Sequence, residues 1–199
     1  MQREQDLNPE DFRAPARARN LLRQPRAFIA AGAALAVAAA AIAWALSGGG
    51  NSSTTTSAVG VEPIPPVELS AKGLRTLAKA VKQPIYWAGA KQGYMYELTR
   101  TENGNVIIRY LPANEKTGAR GAFLTIATYP FAHAFDGLKN LADGRAQTVP
   151  HGGIALVDQN HATSIHLAYP RAAYQVEIYD PSAERALQLA LSGDVVPVR

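Results

Sequence analysis

The four histidines are the side chains of this sequence best suited to chemistry. His161 and His166 are five residues apart on a predicted strand. Because side chains alternate between the faces of a strand, we expect these two on opposite faces, where they cannot share a metal. Asp158 is close enough in sequence to pair with His161 across a turn. His133 falls on the polar side of a predicted helix and His151 in a loop, and we interpret all four as surface or cross-strand residues.

The segment from His151 to His161 is where an enzymatic hypothesis can be placed, as the centre of an unrecognised hydrolase. Its Gly152-Gly153 pair lacks the strand and helix context of a nucleotide-binding loop. The sequence has no Gly-x-Ser-x-Gly elbow, no His-Glu-x-x-His helix and no P-loop. It has no cysteine, which excludes thiol catalysis and Cys-ligated zinc. We therefore predict no catalytic residue, no metal and no cofactor.

An aromatic cluster is better suited to binding than to catalysis. Aromatic rings give a large contact area at a low entropic cost, so such a cluster can line a recognition groove. Core packing is the alternative interpretation. The candidate ligand-contact residues are Tyr86, Trp87, Tyr94 and Tyr96.

A basic stripe is the second candidate binding feature. Its residues share the solvent side of the first predicted helix and could contact anionic lipid or an acidic envelope polymer. A solvated helix face is the alternative. The stripe consists of Lys72, Arg75, Lys79 and Lys82.

A hydrophobic run at residues 27–46 predicts a single transmembrane helix. Its twenty uncharged residues would span about 30 Å, the thickness of the hydrocarbon core. Six arginines precede the run, and the first basic residue after it is Lys72. The positive-inside rule therefore predicts a cytoplasmic N-terminus and an exported C-terminal part. The alternative is a signal peptide cleaved after Ala45, at the small-x-small site 43–45.

The composition on either side of this run predicts the remaining organisation. Residues 1–26 are polar and interrupted by proline, which predicts a disordered tail. Residues 47–66 are rich in Gly, Ser, Thr and Pro and predict a linker, so the folded domain is expected at 67–199. The formal net charge is +4, and residues 47–199 carry only a small basic excess. This charge does not favour a nucleic-acid partner.

The periodicity of residues 67–199 predicts an α+β domain with an antiparallel or mixed sheet of about six strands and helices packed on one face. Amphipathic helices are expected after Ser70, between Phe131 and Asp143, and after Asp180, which we expect to cap the third. An Asn-Gly turn predicts a hairpin. The expected strands are Tyr94–Arg100, Val106–Leu111, Phe123–Tyr129, Ile154–Val157, Thr163–Tyr169 and Tyr174–Tyr179.

The last two strands allow their register to be predicted. With the turn at 170–173, apolar residues face each other on one side of the sheet and one polar pair lies on the other. The expected pairs are Leu167 with Val176, Ile165 with Ile178, and His166 with Glu177.

Three short segments carry a resemblance to a group of proteins: PIYWAG at 84–89, GYMYELT at 93–99 and TYP at 128–130. With the Arg-rich tail, the Ala-rich span and the linker, the chain resembles uncharacterised single-pass membrane proteins of high-GC Gram-positive bacteria. The resemblance implies a location at the cell membrane and a small exported α+β domain. It implies no activity.

The sequence therefore favours a membrane-anchored extracytoplasmic binding or interaction module. Its expected partners are the lipid bilayer, through residues 27–46, and an envelope protein or polymer. The alternatives are the hydrolase centred on the segment from His151 to His161 and a structural subunit of an envelope complex.

Overall fold

A computed structural model of the protein describes residues 61–199. The predicted tail at 1–26, the predicted membrane helix at 27–46 and the predicted linker as far as residue 60 lie outside the described residues. Among residues 61–199, no helix is long and apolar enough to cross a membrane.

The described chain is an α+β fold, as the periodicity predicted. The helices are α1 (Ala71–Ala80), α2 (Ala134–Ala142) and α3 (Ala183–Ser192). The strands are β1 (Ile64–Leu69), β2 (Tyr86–Trp87), β3 (Tyr94–Arg100), β4 (Val106–Pro112), β5 (Thr125–Pro130), β6 (Gln147–Val149), β7 (Gly153–Val157), β8 (Ser164–Ala168), β9 (Tyr174–Tyr179) and β10 (Val196–Pro197).

The strands form a large antiparallel sheet of eight strands, in the order β1-β3-β4-β5-β9-β8-β7-β6, and a small sheet of β2 with β10. All pairings in the large sheet are antiparallel. The prediction of about six strands was too low. Strands β2, β6 and β10 have only two or three residues each, too few to show an alternating pattern.

Strand β1 begins at Ile64, inside the predicted linker. It was not predicted as a strand because two prolines lie within it. Ile64 pairs with Arg100 and Val67 with Leu98, and the register shifts between these pairs, where Pro65-Pro66 lies. Proline cannot donate to a ladder and is tolerated at sheet edges and bulges. Strand β1 lies at the edge of the sheet, so it accommodates both prolines.

The Asn-Gly hairpin between β3 and β4 is confirmed. Gly104 has a φ of 78°, which favours glycine. Its N–H donates to the carbonyl of Thr101 at 2.9 Å, and the N–H of Thr101 donates to the carbonyl of Asn105 at 2.9 Å.

The N-cap of α1 is the predicted residue, whereas the N-cap of α3 differs from the predicted one. Ser70 Oγ accepts a hydrogen bond from the N–H of Gly73 at 3.1 Å. In α3 the N-cap is Ser182, whose Oγ accepts from the N–H of Arg185 at 3.3 Å. Asp180 lies two residues too early to cap, because an N-cap must directly precede the first helical residue. Its carboxylate accepts instead from the N–H of Ser182 at 2.8 Å.

One face of the large sheet, here called the core face, carries the main hydrophobic core. Helices α1 and α3 and the small sheet pack on it, through residues such as Leu74, Ala186 and Trp87. The largest fully buried strand residues of this face are Tyr96, Leu98, Ile108, Tyr110, Ile126, Ile165, Leu167 and Ile178.

Helix α2 packs on the opposite face, so the prediction of helices on one face only is wrong. Strands β7 and β8 are apolar on both sides near Leu156 and Ala168, which form a second buried cluster with residues of α2. Sheets with one covered face alternate strictly between apolar and polar residues, and these strands do not. The α2 residues of this second cluster are Ala134, Leu138 and Ala142.

Candidate functional site

The predicted register of β8 and β9 is confirmed at all three pairs, including His166 with Glu177. This polar pair lies on the opposite face, as expected, but it is not exposed to solvent. His166 is 0% exposed and Glu177 is 2% exposed. Buried polar groups of this kind require hydrogen-bond partners. The residues that bond to His166 and to Glu177 therefore define the candidate site.

Both ring nitrogens of His166 are engaged by neighbouring side chains. Gln175 Nε2 lies 2.9 Å from Nδ1, and Asp158 Oδ2 lies 3.4 Å from Nε2. An amide nitrogen only donates, so Nδ1 of the neutral ring accepts and the proton lies on Nε2, directed at the carboxylate. His166 therefore has no free nitrogen for proton transfer or metal binding in this arrangement.

Asp158 is held in place by the turn that follows β7. Its Oδ1 accepts from the N–H of Asn160 at 2.7 Å and from that of His161 at 3.0 Å. Burial alone would raise the pKa of this carboxyl, but these two hydrogen bonds and His166 outweigh it and hold the pKa below its ordinary value. The carboxylate is therefore kept ionised and oriented.

The expectation that His161 and His166 point to opposite faces is wrong. Strand β8 begins at Ser164, so His161 belongs to the preceding turn and strand alternation does not apply to it. Its Nδ1 lies 3.6 Å from Asp158 Oδ1, so both histidines flank the same carboxylate. Over residues 61–199, no group of three or more His, Cys, Asp or Glu side chains could hold a metal.

The lowered pKa of Asp158 predicts a pH-dependent stability. Since the unfolded chain binds this proton more tightly, the contribution of the carboxylate is complete above the unfolded pKa of about 3.9 and is lost as the pH falls through the lower folded pKa. We expect Asp158→Asn to lower the free energy of unfolding by about 1.5 kcal/mol at pH 7. The difference from the wild type should shrink towards pH 3 in urea unfolding.

The matched control for this pH series is Asp194→Asn, which changes an exposed carboxylate. Its difference from the wild type should stay small and flat across the same range. An Asp158→Asn difference that is equally flat would contradict the assigned role of the Asp158 charge.

A pocket of about 230 Å³ opens beside Asp158 and His166 at the end of α2. Arg145 lies at its rim, where its guanidinium donates to the carbonyl of Leu141 at 3.3 Å and contacts the amide oxygen of Gln159. These contacts orient the guanidinium but leave part of its five donors free. The pocket is lined by Leu141, Arg145, Leu156, Val157, Asp158, Gln159, Asn160 and His166.

A second, smaller cavity lies over Glu177 on the same face of the sheet, and we call it the Glu177 slot. Its volume is about 20 Å³, and its lining residues are Ile107, Thr125, Ala127, Tyr129, Glu177 and Tyr179. The hydroxyl of Tyr129 donates to Glu177 Oε2 at 2.9 Å. Burial, together with the negative charge of Glu177, raises the pKa of Tyr129 well above its ordinary value, so this hydroxyl stays protonated.

The predicted aromatic cluster lies mostly in the core rather than around either cavity. Tyr86, Trp87 and Tyr96 are buried and Tyr94 is half-buried. The Trp87 and Tyr96 rings meet edge to face with centroids 5.8 Å apart, and Tyr86 stacks on Tyr169 at 5.8 Å. These contacts are those of core packing, the alternative interpretation.

The predicted basic stripe lies partly on α1. Lys72, Arg75 and Lys79 are exposed on the helix, and Lys82 is also exposed but follows its last residue, Ala80. The guanidinium carbon of Arg75 lies 5.0 Å from the centroid of the Trp87 ring, so Arg75 also covers the edge of the core.

Asp158 was identifiable from the sequence, whereas Arg145, Gln175, Tyr129 and the buried state of Glu177 were not. A signal for Glu177 was present: it is a lone acidic residue within an otherwise buried strand, opposite a histidine. Arg145 gave no comparable signal, because its place at the pocket depends on how α2 packs against β7.

No protein-family model, curated protein or solved structure matches this chain. The site is therefore interpreted from its own chemistry.

Proposed function

We propose that the protein is a membrane-anchored extracytoplasmic binding module, and that the pocket beside Asp158 receives a small polar ligand. The observation that supports this most directly is the pocket's pair of oriented, opposite charges, Arg145 and Asp158. Small-ligand sites commonly combine apolar walls with a few fixed polar groups. Leu141, Leu156 and Val157 supply such walls here.

The chemistry of the pocket favours a ligand with a carboxylate and a nearby hydrogen-bond donor. The free guanidinium donors of Arg145 suit a carboxylate, and Asp158 Oδ2 can accept from the donor. Arg145 already donates hydrogen bonds to protein oxygens at the rim of the pocket. Its side chain therefore loses little further conformational freedom when a ligand binds. A pre-oriented group loses less entropy when its ligand arrives.

The location is supported by the sequence at 27–46 and by the arginines before it. An N-terminal tag on the mature protein should be found in the membrane fraction, and an added protease should remove only the C-terminal domain from intact spheroplasts. Recovery of an untagged domain in the medium would instead favour cleavage after Ala45.

We expect Arg145→Ala to weaken the binding of N-acetylglycine to the full-length protein by at least about tenfold. This probe presents a carboxylate and an amide N–H at the spacing of an amino acid. The measurement is an NMR titration that follows Leu141 and Leu156 methyl shifts.

Arg120→Ala is the matched control for this titration, because Arg120 is exposed and does not line the pocket. It should bind the probe as the wild type does. Equal affinity in Arg145→Ala and Arg120→Ala would remove Arg145 from the binding site.

The hydrolase hypothesis is supported by a single arrangement, the exposed His161 beside Asp158. The His161 side chain is 57% exposed, and its Nδ1 faces the carboxylate, as an oriented general base requires. Neither His161 nor His151 lines the pocket, which favours binding over hydrolysis. A hydrolytic turnover that His161→Ala abolishes without loss of folding would favour the hydrolase instead.

A further inference from the structure

Glu177 carries an oxygen without a partner in a buried position. The carboxylate is 2% exposed; its Oε2 bonds Tyr129, and its Oε1 has no hydrogen-bond partner within the described part of the chain. A buried carboxylate oxygen left unpaired is costly. Since Glu177 is one of the residues that line the Glu177 slot, a ligand that enters the slot can supply the missing bond.

We propose that the Glu177 slot binds a primary ammonium group, such as the end of a lysine side chain, with Glu177 Oε1 as its acceptor. The slot's volume of about 20 Å³ accommodates one water-sized group, and an ammonium is of that size. The lining tyrosines, Tyr129 and Tyr179, also suit a cation, because their rings attract positive charge.

The geometry disfavours the other common cations. Calcium and magnesium require several oxygen ligands, and among residues 61–199 no group of three or more acidic or histidine side chains could hold a metal ion. A guanidinium binds best through two carboxylate oxygens at once. At Glu177 one of the two is already occupied by the Tyr129 hydroxyl, so a compact ammonium fits better than an arginine.

This site is separate from the pocket beside Asp158, since the two cavities share no lining residue. His166 and Glu177 are cross-strand partners, which places the cavities on adjacent strands of one sheet face. A single ligand could therefore contact the protein both in the pocket beside Asp158 and in the Glu177 slot. The ammonium site does not depend on the pocket, so each can be tested alone.

The test is an NMR titration of the full-length protein with n-butylamine and with Nα-acetyl-lysine methylamide, following the Ile107 and Ala127 methyl shifts. We expect saturable shifts with both probes, and at least about tenfold weaker binding in Glu177→Gln. Glu184→Gln, an exposed carboxylate on α3, should bind as the wild type does. If the lysine derivative binds more tightly than n-butylamine, the ammonium group is that of a protein lysine. If the two probes bind equally, the ligand is a free amine.

Three further measurements test the proposal. Ala127→Val should fill the slot while leaving the Glu177 residue itself unchanged, and it should abolish the Ile107 methyl shifts. This variant serves as a second test if Glu177→Gln does not fold. Nα,Nε-diacetyl-lysine methylamide, in which neither nitrogen carries a charge, should not bind, and Arg145→Ala should leave amine binding unchanged. Absence of saturable shifts in the wild type, or equal shifts in Glu177→Gln, would show that the slot holds water only and would overturn the proposal.

Discussion

Replacing Ile178 with alanine is expected to lower the free energy of unfolding by about 3 to 4 kcal/mol, the usual cost of truncating a fully buried aliphatic side chain. Ile178 is 0% exposed and lies between Ile126 on β5 and Ile165 on β8, on the core face. The cavity would open at the centre of the sheet, where neighbouring strands cannot collapse into it. Urea unfolding of the full-length protein measures the effect.

The control for this truncation is Leu191→Ala on α3. Leu191 is 37% exposed, so its removal leaves no enclosed cavity and should cost about 1 kcal/mol or less. Equal losses for the two variants would mean that Ile178 does not lie in a rigid core, and the assigned sheet order around β9 would have to be revised.

Replacing Tyr129 with phenylalanine is expected to cost about 2 to 3 kcal/mol, although it removes a single oxygen atom. The hydroxyl supplies the only hydrogen bond that the carboxylate of Glu177 accepts within residues 61–199. Without it, both carboxylate oxygens would be buried and unpaired, and hydrogen bonds to charged groups are worth about 1.5 to 3 kcal/mol. Thermal and urea unfolding measure this loss.

Tyr179→Phe is the matched control, since Tyr179 lines the same slot and its hydroxyl makes no hydrogen bond within the described residues. Its unfolding free energy should stay within about 0.5 kcal/mol of the wild type. A second comparison uses Glu177→Gln, which keeps an acceptor for Tyr129 and removes the charge. It should be as stable as the wild type or more stable, because a buried unpaired charge destabilises a fold.

The stability of the Tyr129 and Glu177 variants, compared with their amine binding, tests whether Glu177 has a role in recognition. A residue that lowers the stability of the fold is retained when it serves binding or catalysis. Greater stability of Glu177→Gln, combined with loss of amine binding, would be the expected signature of a functional carboxylate. Greater stability with unchanged binding would leave Glu177 without a role in recognition.

Local sequence patterns were sufficient for much of the fold. The hairpin of β3 and β4 is indicated by Asn103-Gly104, since Gly104 takes the positive φ that the turn requires. The register of β8 and β9 follows from the turn length and from the alternation of apolar residues, because a shift by one residue would expose the whole apolar set. The cap of α1 at Ser70 follows from a hydrogen bond that spans three residues.

Other features were missed because their cause is not local. Strand β1 contains Pro65-Pro66, which indicates a linker unless the position of the strand at the sheet edge is known. The packing of α2 on the opposite face depends on Leu156 and Ala168, which meet only when β7 and β8 are paired. Sequence periodicity describes each element alone, and it does not state which faces will be covered.

The sequence by itself determined the α+β class, most element boundaries and the pairing of His166 with Glu177, because these depend on contacts between near neighbours in the chain. Only the tertiary structure decided that this pair is buried, that Asp158 and Gln175 engage both nitrogens of His166, and that one oxygen of Glu177 has no partner among residues 61–199. Burial of the pair depends on α2 and on neighbouring strands that are distant in the sequence. The same polar pair would be an ordinary surface feature on a sheet with one exposed face, and it becomes a candidate binding site here because both side chains are buried and each lines a cavity.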